Sequence, residues 1–198
     1  MKMAKKFLAV ALAGVLALSV LTGCGDSVKS KDIADSLTKM GVKVEQDDGV
    51  DKAAEETLKA IEAIVNAPDN AAKADDDTSK ITLDNAVKMS DGKIIEMNNI
   101  INDPNNAVKK ALGMMATGTP AETANATKKV QVALVNIENA KKDASLQAAL
   151  VKDGLIATHV IIFPNDKKFA DTGKLGSAKT SDGKYILVVI VTGLVENH

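Results

Sequence analysis

Apolar positions along the chain change their period more than once. Phe7 to Leu21 is a continuous apolar run broken only by Gly14 and Ser19. From Ile33 onward apolar residues instead recur every three or four positions, which places them on one face of a helix. Ile33, Leu37 and Met40 share such a face, with Gly41 as its stop. Ala54, Thr57, Leu58, Ile61, Ile64 and Val65 share another, in a helix that must end before Pro68. Residues 68–80, with Asp75, Asp76 and Asp77, read as a solvated loop. Residues 82–102 read as two short helical pieces around Asp91-Gly92. Asp103-Pro104 opens a further helix carrying Val108, Leu112 and Met115, closed near Gly118. The clearest start is Thr119-Pro120-Ala121-Glu122. Threonine caps, proline suits the first helical position, and glutamate can bond back to the cap. Val130, Leu134 and Ile137 follow on one face. The helical pattern then runs, with a break at Asp143, through Leu146 and Leu150 to Gly154.

At Leu155 the texture changes. Leu155 to Phe163 and Tyr185 to Val191 are β-branched, nearly continuous apolar runs of strand length. Both faces of each are apolar, so both strands should be covered on two sides. Two strands are marginal alone, and Val42–Glu45 or Lys80–Leu83 can supply a third. Residues 164–183 are polar and contain glycine, and read as a long loop. The expected fold is α+β, with several amphipathic helices packed on a small antiparallel sheet whose main strands lie near 155–163 and 184–192.

The N-terminal run has its own logic. Lys2, Lys5 and Lys6 precede it, and Thr22, Gly23 and Cys24 close it. A basic start, a short apolar stretch and a small-residue exit make a secretory signal. The run is shorter than the roughly 20 apolar residues that a membrane span needs. Leu21-Thr22-Gly23-Cys24 resembles the lipobox of bacterial lipoproteins. That resemblance implies removal of residues 1–23 and attachment of a diacylglycerol to the Cys24 sulfur. Each buried methylene of the two chains contributes about 0.8 kcal/mol, enough together for stable anchoring. Cys24 is the only cysteine in the sequence, which leaves no disulfide and no other thiol chemistry. Residues 24–30 then form the lipidated cysteine and a short tether, and 31–198 a single domain. The expected location is the extracytoplasmic face of the cell membrane.

Composition narrows what that domain does. Losing residues 1–23 removes three lysines and no acid, moving the formal charge from −1 to about −4. Nucleic acid needs a concentrated basic face, so neither nucleic acid nor nucleotide is an expected partner. All 25 basic residues are lysines, so no arginine fork clamps carboxylate or phosphate. Tryptophan is absent, and beyond residue 23 the aromatics are Phe163, Phe169 and Tyr185. Stacking platforms for bases or sugars are therefore poorly supplied.

Candidate chemistry is sparse. His159 sits mid-strand among Val160, Ile161 and Ile162, and His198 is terminal. His159 reads either as a buried, hydrogen-bonded core residue or as an acid, base or ligand facing a cleft. Two histidines and no free cysteine make no recognisable zinc set. Gly173-Lys174-Leu175-Gly176-Ser177-Ala178-Lys179-Thr180 falls one residue short of a phosphate-binding loop. It leads towards a strand, not the helix such a loop requires. Asp75 to Asp77 lack the alternating ligands of a calcium loop. Asp166, Asp171 and Asp182 share the 164–183 segment with nothing to bring them together. Ser177, Thr180 and Ser181 have no recognisable base beside them. No catalytic, cofactor or metal set emerges, and no cofactor is expected.

Thr158-His159-Val160, Asp182-Gly183-Lys184-Tyr185 and Val191-Thr192-Gly193 together are similar to the closing hairpin of the CAP (pathogenesis-related/cysteine-rich secretory) superfamily. That family carries two histidines and acidic partners before this hairpin. Here no histidine precedes His159, so the resemblance implies a degenerate cleft. The reading best matched to the residues is a non-enzymatic binding or structural module of the cell envelope. It is anchored through Cys24, with an envelope protein or cell-wall component as its partner. The alternatives are an envelope hydrolase using His159 or a degenerate CAP-like domain, and a small solute-capture lipoprotein.

Overall fold

The computed structural model describes residues 28–87, 128–157 and 167–196. Cys24, His159, His198, Asp166 and the helices expected within 88–127 lie outside the described residues.

The described elements are α1 (Ser30–Lys39), β1 (Val44–Gln46), α2 (Asp48–Val65), α3 (Pro68–Ala71), β2 (Lys128–Asn136), a 3-10 turn at Glu138–Ala140, α4 (Ala144–Gly154), β3 (Ile156–Ala157), β4 (Lys167–Phe169), β5 (Gly173–Lys179) and β6 (Tyr185–Glu196). The fold is α+β, helices on a mixed sheet of order β1-β5-β6-β2-β3. β6 is its spine, pairing antiparallel with β2 from Tyr185 to Gly193 and with β5 from Ile186 to Val191. Its run of β-branched side chains suits a pleated surface buried on both sides. Leu187 and Val189 pack under α2 with Ala54, Leu58 and Ile61. Ile186, Val188 and Ile190 face the other way, onto Ile33 and Leu37 of α1 and Ala148 and Val151 of α4. The sheet is thus sandwiched between α2 on one face and α1 with α4 on the other.

Helix ends follow from local chemistry. Gly41, at φ 89°, closes α1. Val42 N–H reaches the Leu37 carbonyl at 2.9 Å and Gly41 N–H reaches Thr38 at 3.0 Å, the paired bonds of a Schellman stop. Asp47 caps α2 by accepting from Gly49 and Val50 N–H, and Asp143 caps α4 through Leu146 N–H. The expected break at Asp143 is therefore a helix start.

Three expectations need correction. Residues 128–136 are strand, not helix. Val130, Leu134 and Ile137 do fit a helical face, but Val130, Val132 and Leu134 equally fit alternation, and Ala133 fills the opposite face. Pairing with β6 decides the matter. The segment 164–183 is not a loop either, since β4 and β5 lie within it. Phe169 pairs with Leu194 and Lys174 with Val191, so five steps on this strand oppose three on β6. A bulge at 170–172 absorbs the difference. Finally, the sheet is mixed, because β1 runs parallel to β5. The third strand comes from Val44–Gln46, while Ile81 is tied to the side chain of buried Asn70 at 2.8 and 2.9 Å. Of the expected strand at 155–163, Ile156–Ala157 pairs with β2, and 158–163 lie outside the described residues.

Candidate functional site

Polar side chains from distant segments meet in three places. The first lies where β5 outruns β1. Asp47 N–H still bonds the Leu175 carbonyl, but beyond it the β5 edge has no strand partner among the described residues. Asp51 fills the gap. Its Oδ1 accepts from Ser177 N–H at 2.8 Å and from Ser30 Oγ at 2.6 Å, and its Oδ2 accepts from Gln46 Nε2 at 2.6 Å. Ser30 and Ser177 hydroxyls are also 2.7 Å apart. Next along the strand, Lys179 Nζ donates to the Val28 carbonyl at 2.7 Å. Burial pushes the Lys179 ammonium below its usual 10.5, partly opposed by Asp32. Ser177 thus does acquire an acidic neighbour that sequence could not supply. The groups satisfy one another, and their effect is to lock the start of α1 onto β5 and α2.

The second place surrounds Tyr185 at the β5–β6 turn. Tyr185 Oη donates to Asp84 at 2.9 Å, and Asp182 accepts from Thr180 Oγ1 at 2.7 Å and Lys184 N–H at 3.0 Å. Asp182 is thereby held below the usual carboxylate range. Glu62 goes the other way, raised above 4.5 first by burial and then by the negative charge of Asp182. The fold therefore disfavours ionised Glu62. Its contribution is best below about pH 4.5 and deteriorates as pH rises through the elevated value. Glu62→Gln should accordingly stabilise the domain at neutral pH and change nothing near pH 4. Urea titrations at both pH values check this, and a gain that is equal at both would contradict it.

The third is a cleft of about 320 Å³ at the other end of the sheet. Thr192 and Ile190 of β6, Gln131 and Lys129 of β2, Gly173 of β5 and Phe169 of β4 contribute, together with Asp171 in the bulge and the Gly41–Val44 segment after α1. These β2 and β6 positions lie on the α1–α4 face, where Ile190 is buried in the core with α1 and α4 while Lys129 and Gln131 stay partly exposed. A side chain on Gly173 would meet Ile190 Cγ2 at 2.7 Å and Thr192 Oγ1 at 3.0 Å, so glycine leaves the threonine hydroxyl uncrowded. Lys129 Nζ stands 6.0 Å from the centre of the Phe169 ring, the outer reach of a cation–π contact. Among the described residues, no side-chain hydrogen bond or ion pair engages Lys43, Lys129, Gln131, Asp171 or Thr192. The residues that line the cleft carry two ammonium groups, an amide, a hydroxyl and a carboxylate, beside the partly exposed Val42 and Phe169. Volumes of a few hundred Å³ with a few convergent polar groups suit small ligands.

Of the residues marked in the sequence, Asp171 reaches the cleft and Asp182 lies at the opposite end of β5. The near-miss phosphate loop, Gly173 to Thr180, is β5 and its exit, with no helix opening from it. Gly183, at φ 66°, turns the chain between β5 and β6, so the hairpin partner of β6 is β5. Among the described residues no set of His, Cys, Asp and Glu is placed to hold a metal ion, and no helix is long and apolar enough to cross a membrane. Lys43, Lys129, Gln131 and Thr192 carried no signal in the sequence, because strand pairing alone unites them. No family model matches the chain, and neither a curated protein nor a solved structure is significantly similar to it.

Proposed function

We propose that this chain is a lipid-anchored binding module of the cell envelope, non-enzymatic, held by a lipid on Cys24 and presenting its cleft away from the membrane. The observation that carries the reading is the opposition of two poles. Val28 follows Cys24 by four residues, at most about 14 Å of extended chain. Its carbonyl is fastened by Lys179, and Ser30 by Asp51 and Ser177. The cleft begins at Gly173, the far end of the same seven-residue strand, about 20 Å away at 3.3 Å per residue. A bilayer against the first pole leaves the second pole facing outward. The lipobox-like Leu21-Thr22-Gly23-Cys24 and the absence of any other cysteine support the anchor.

Cys24→Ala is the direct test. The parent protein should incorporate labelled palmitate and partition with membranes, while the variant should do neither. Membrane partition that survives Cys24→Ala without label would defeat the anchoring half of the proposal.

A further inference from the structure

We propose that the cleft at the end of the sheet binds a small organic carboxylate, held by charge at Lys43 and Lys129. The ligand's apolar part lies against Val42 and Phe169. This deepens the binding-module reading and rests on its cleft, independently of whether Cys24 carries lipid.

Elsewhere in the domain several lysines are engaged. Lys80 pairs with Asp75, Lys167 with Glu196 and Lys184 with Glu138, while Lys141 donates to the Asp182 carbonyl. Lys43 and Lys129, like Lys39, Lys52, Lys59, Lys142 and Lys168, have no side-chain hydrogen bond or ion pair among the described residues, but these two line one cavity together. They approach the same cavity from β2 and from the segment leading into β1, and Asp171 forms an ion pair with neither. Two ammonium groups against one carboxylate leave the lining net positive, so it favours an anion. Lys129 is half-buried on its strand, where low water access strengthens its attraction for an anion. Thr192 Oγ1 and the Gln131 amide add uncharged donors beside it. Bare inorganic anions are a poor match, because the partly exposed Val42 side chain and Phe169 ring supply apolar wall that such ions cannot use. A ligand with a charged head and an apolar body uses both halves.

Probes that vary one half at a time test this on the full-length membrane-extracted protein. The set is butanoate, butylammonium, inorganic phosphate, and N-acetyl-alanyl-alanine as acid and as amide. Butanoate or the peptide acid should bind measurably by calorimetry and raise the melting temperature, with affinity falling as salt rises. Butylammonium and the peptide amide should bind at least about tenfold more weakly, since each lacks the charge-assisted bonds. Tighter binding of the peptide acid than of butanoate assigns the carboxylate to a peptide terminus, and the reverse order assigns it to a free acid. Lys129→Met preserves length and apolar stem, and should weaken binding about ten- to a hundredfold. Thr192→Val should weaken it less, and Lys59→Met, on exposed α2 surface, not at all. Equal binding of butylammonium, phosphate binding as tight as butanoate, or full affinity in Lys129→Met overturns the proposal. So does no binding by any probe. None of these outcomes bears on Cys24, whose palmitate label reports separately.

Discussion

Gly176→Ala is expected to destabilise the domain by about 3 kcal/mol or more, at or beyond the upper end of ordinary overpacking. A methyl at this position would stand 2.1 Å from the Val50 carbonyl carbon, 2.2 Å from Asp51 N and 2.3 Å from Val50 O. Carbon contacts are comfortable near 3.5–4.0 Å, so strand and helix must part by more than an ångström. Neither can do so cheaply. β5 is held by its ladder with β6, in which Gly176 faces Val189. The first turn of α2 is held by the Asp47 cap and by the bonds of Asp51. The clash is with backbone, so no rotamer change relieves it. A drop of about 6–12 °C in melting temperature follows for a domain of this size. Gly193→Ala serves as the control, because a methyl there meets nothing within 4 Å. Similar melting temperatures for the two variants would show that α2 does not sit on β5 as described.

That glycine also explains what could be read from the sequence and what could not. α2 was legible because six apolar or small positions keep the helical period and Pro68 marks where it must end. β6 was legible because β-branched residues crowd it so densely that no other element suits them. The order of helices at α1, α2 and α4, and an α+β class, followed from such local patterns. β5 was hidden because Gly173 and Gly176 are the residues that ordinarily mark loops. Here they mark close approach instead, Gly176 to the backbone of α2 and Gly173 to Ile190. β2 was hidden because Val130 to Val135 is apolar at almost every position, and a run covered on both faces fits period 2 and period 3.6 alike. Its exchange of helix for strand is what brings Lys129 and Gln131 to the cleft. A lining drawn from β2, β4, β5, β6 and the start of β1 leaves no mark in any single window of sequence. The anchor is the reverse case, since the features that suggest it are contiguous around Cys24.

Asp51→Ala should be the second large effect, a loss of about 2–4 kcal/mol felt chiefly where α1 joins the rest of the domain. Asp51 is the acceptor for three donors, Ser177 N–H, Ser30 Oγ and Gln46 Nε2. Bonds to a charged acceptor contribute about 1.5–3 kcal/mol each, but they share one carboxylate and cannot simply be added. After truncation the two hydroxyls can still bond one another and Gln46 can turn to Asp48, which already accepts from it at 2.8 Å. Ser177 N–H has no comparable substitute, because β1 has ended and, among the described residues, no strand lies on that edge of β5. The cost therefore concentrates on that amide. Asp51→Asn keeps one acceptor oxygen and should lose less. Hydrogen exchange offers the sharper measurement. Protection of the Ser177 amide should collapse in Asp51→Ala, while that of the Val188 amide, on the central strand, should fall only as far as global stability falls. Unchanged protection at Ser177 would mean that the edge of β5 is closed by something other than Asp51. A collapse confined to Ser177 would show that the link between α1 and the sheet can open without unfolding the core. If Cys24 carries the proposed lipid, the orientation of the domain would then depend on this one carboxylate, because Val28 and Ser30 are the described residues nearest Cys24 that the fold holds.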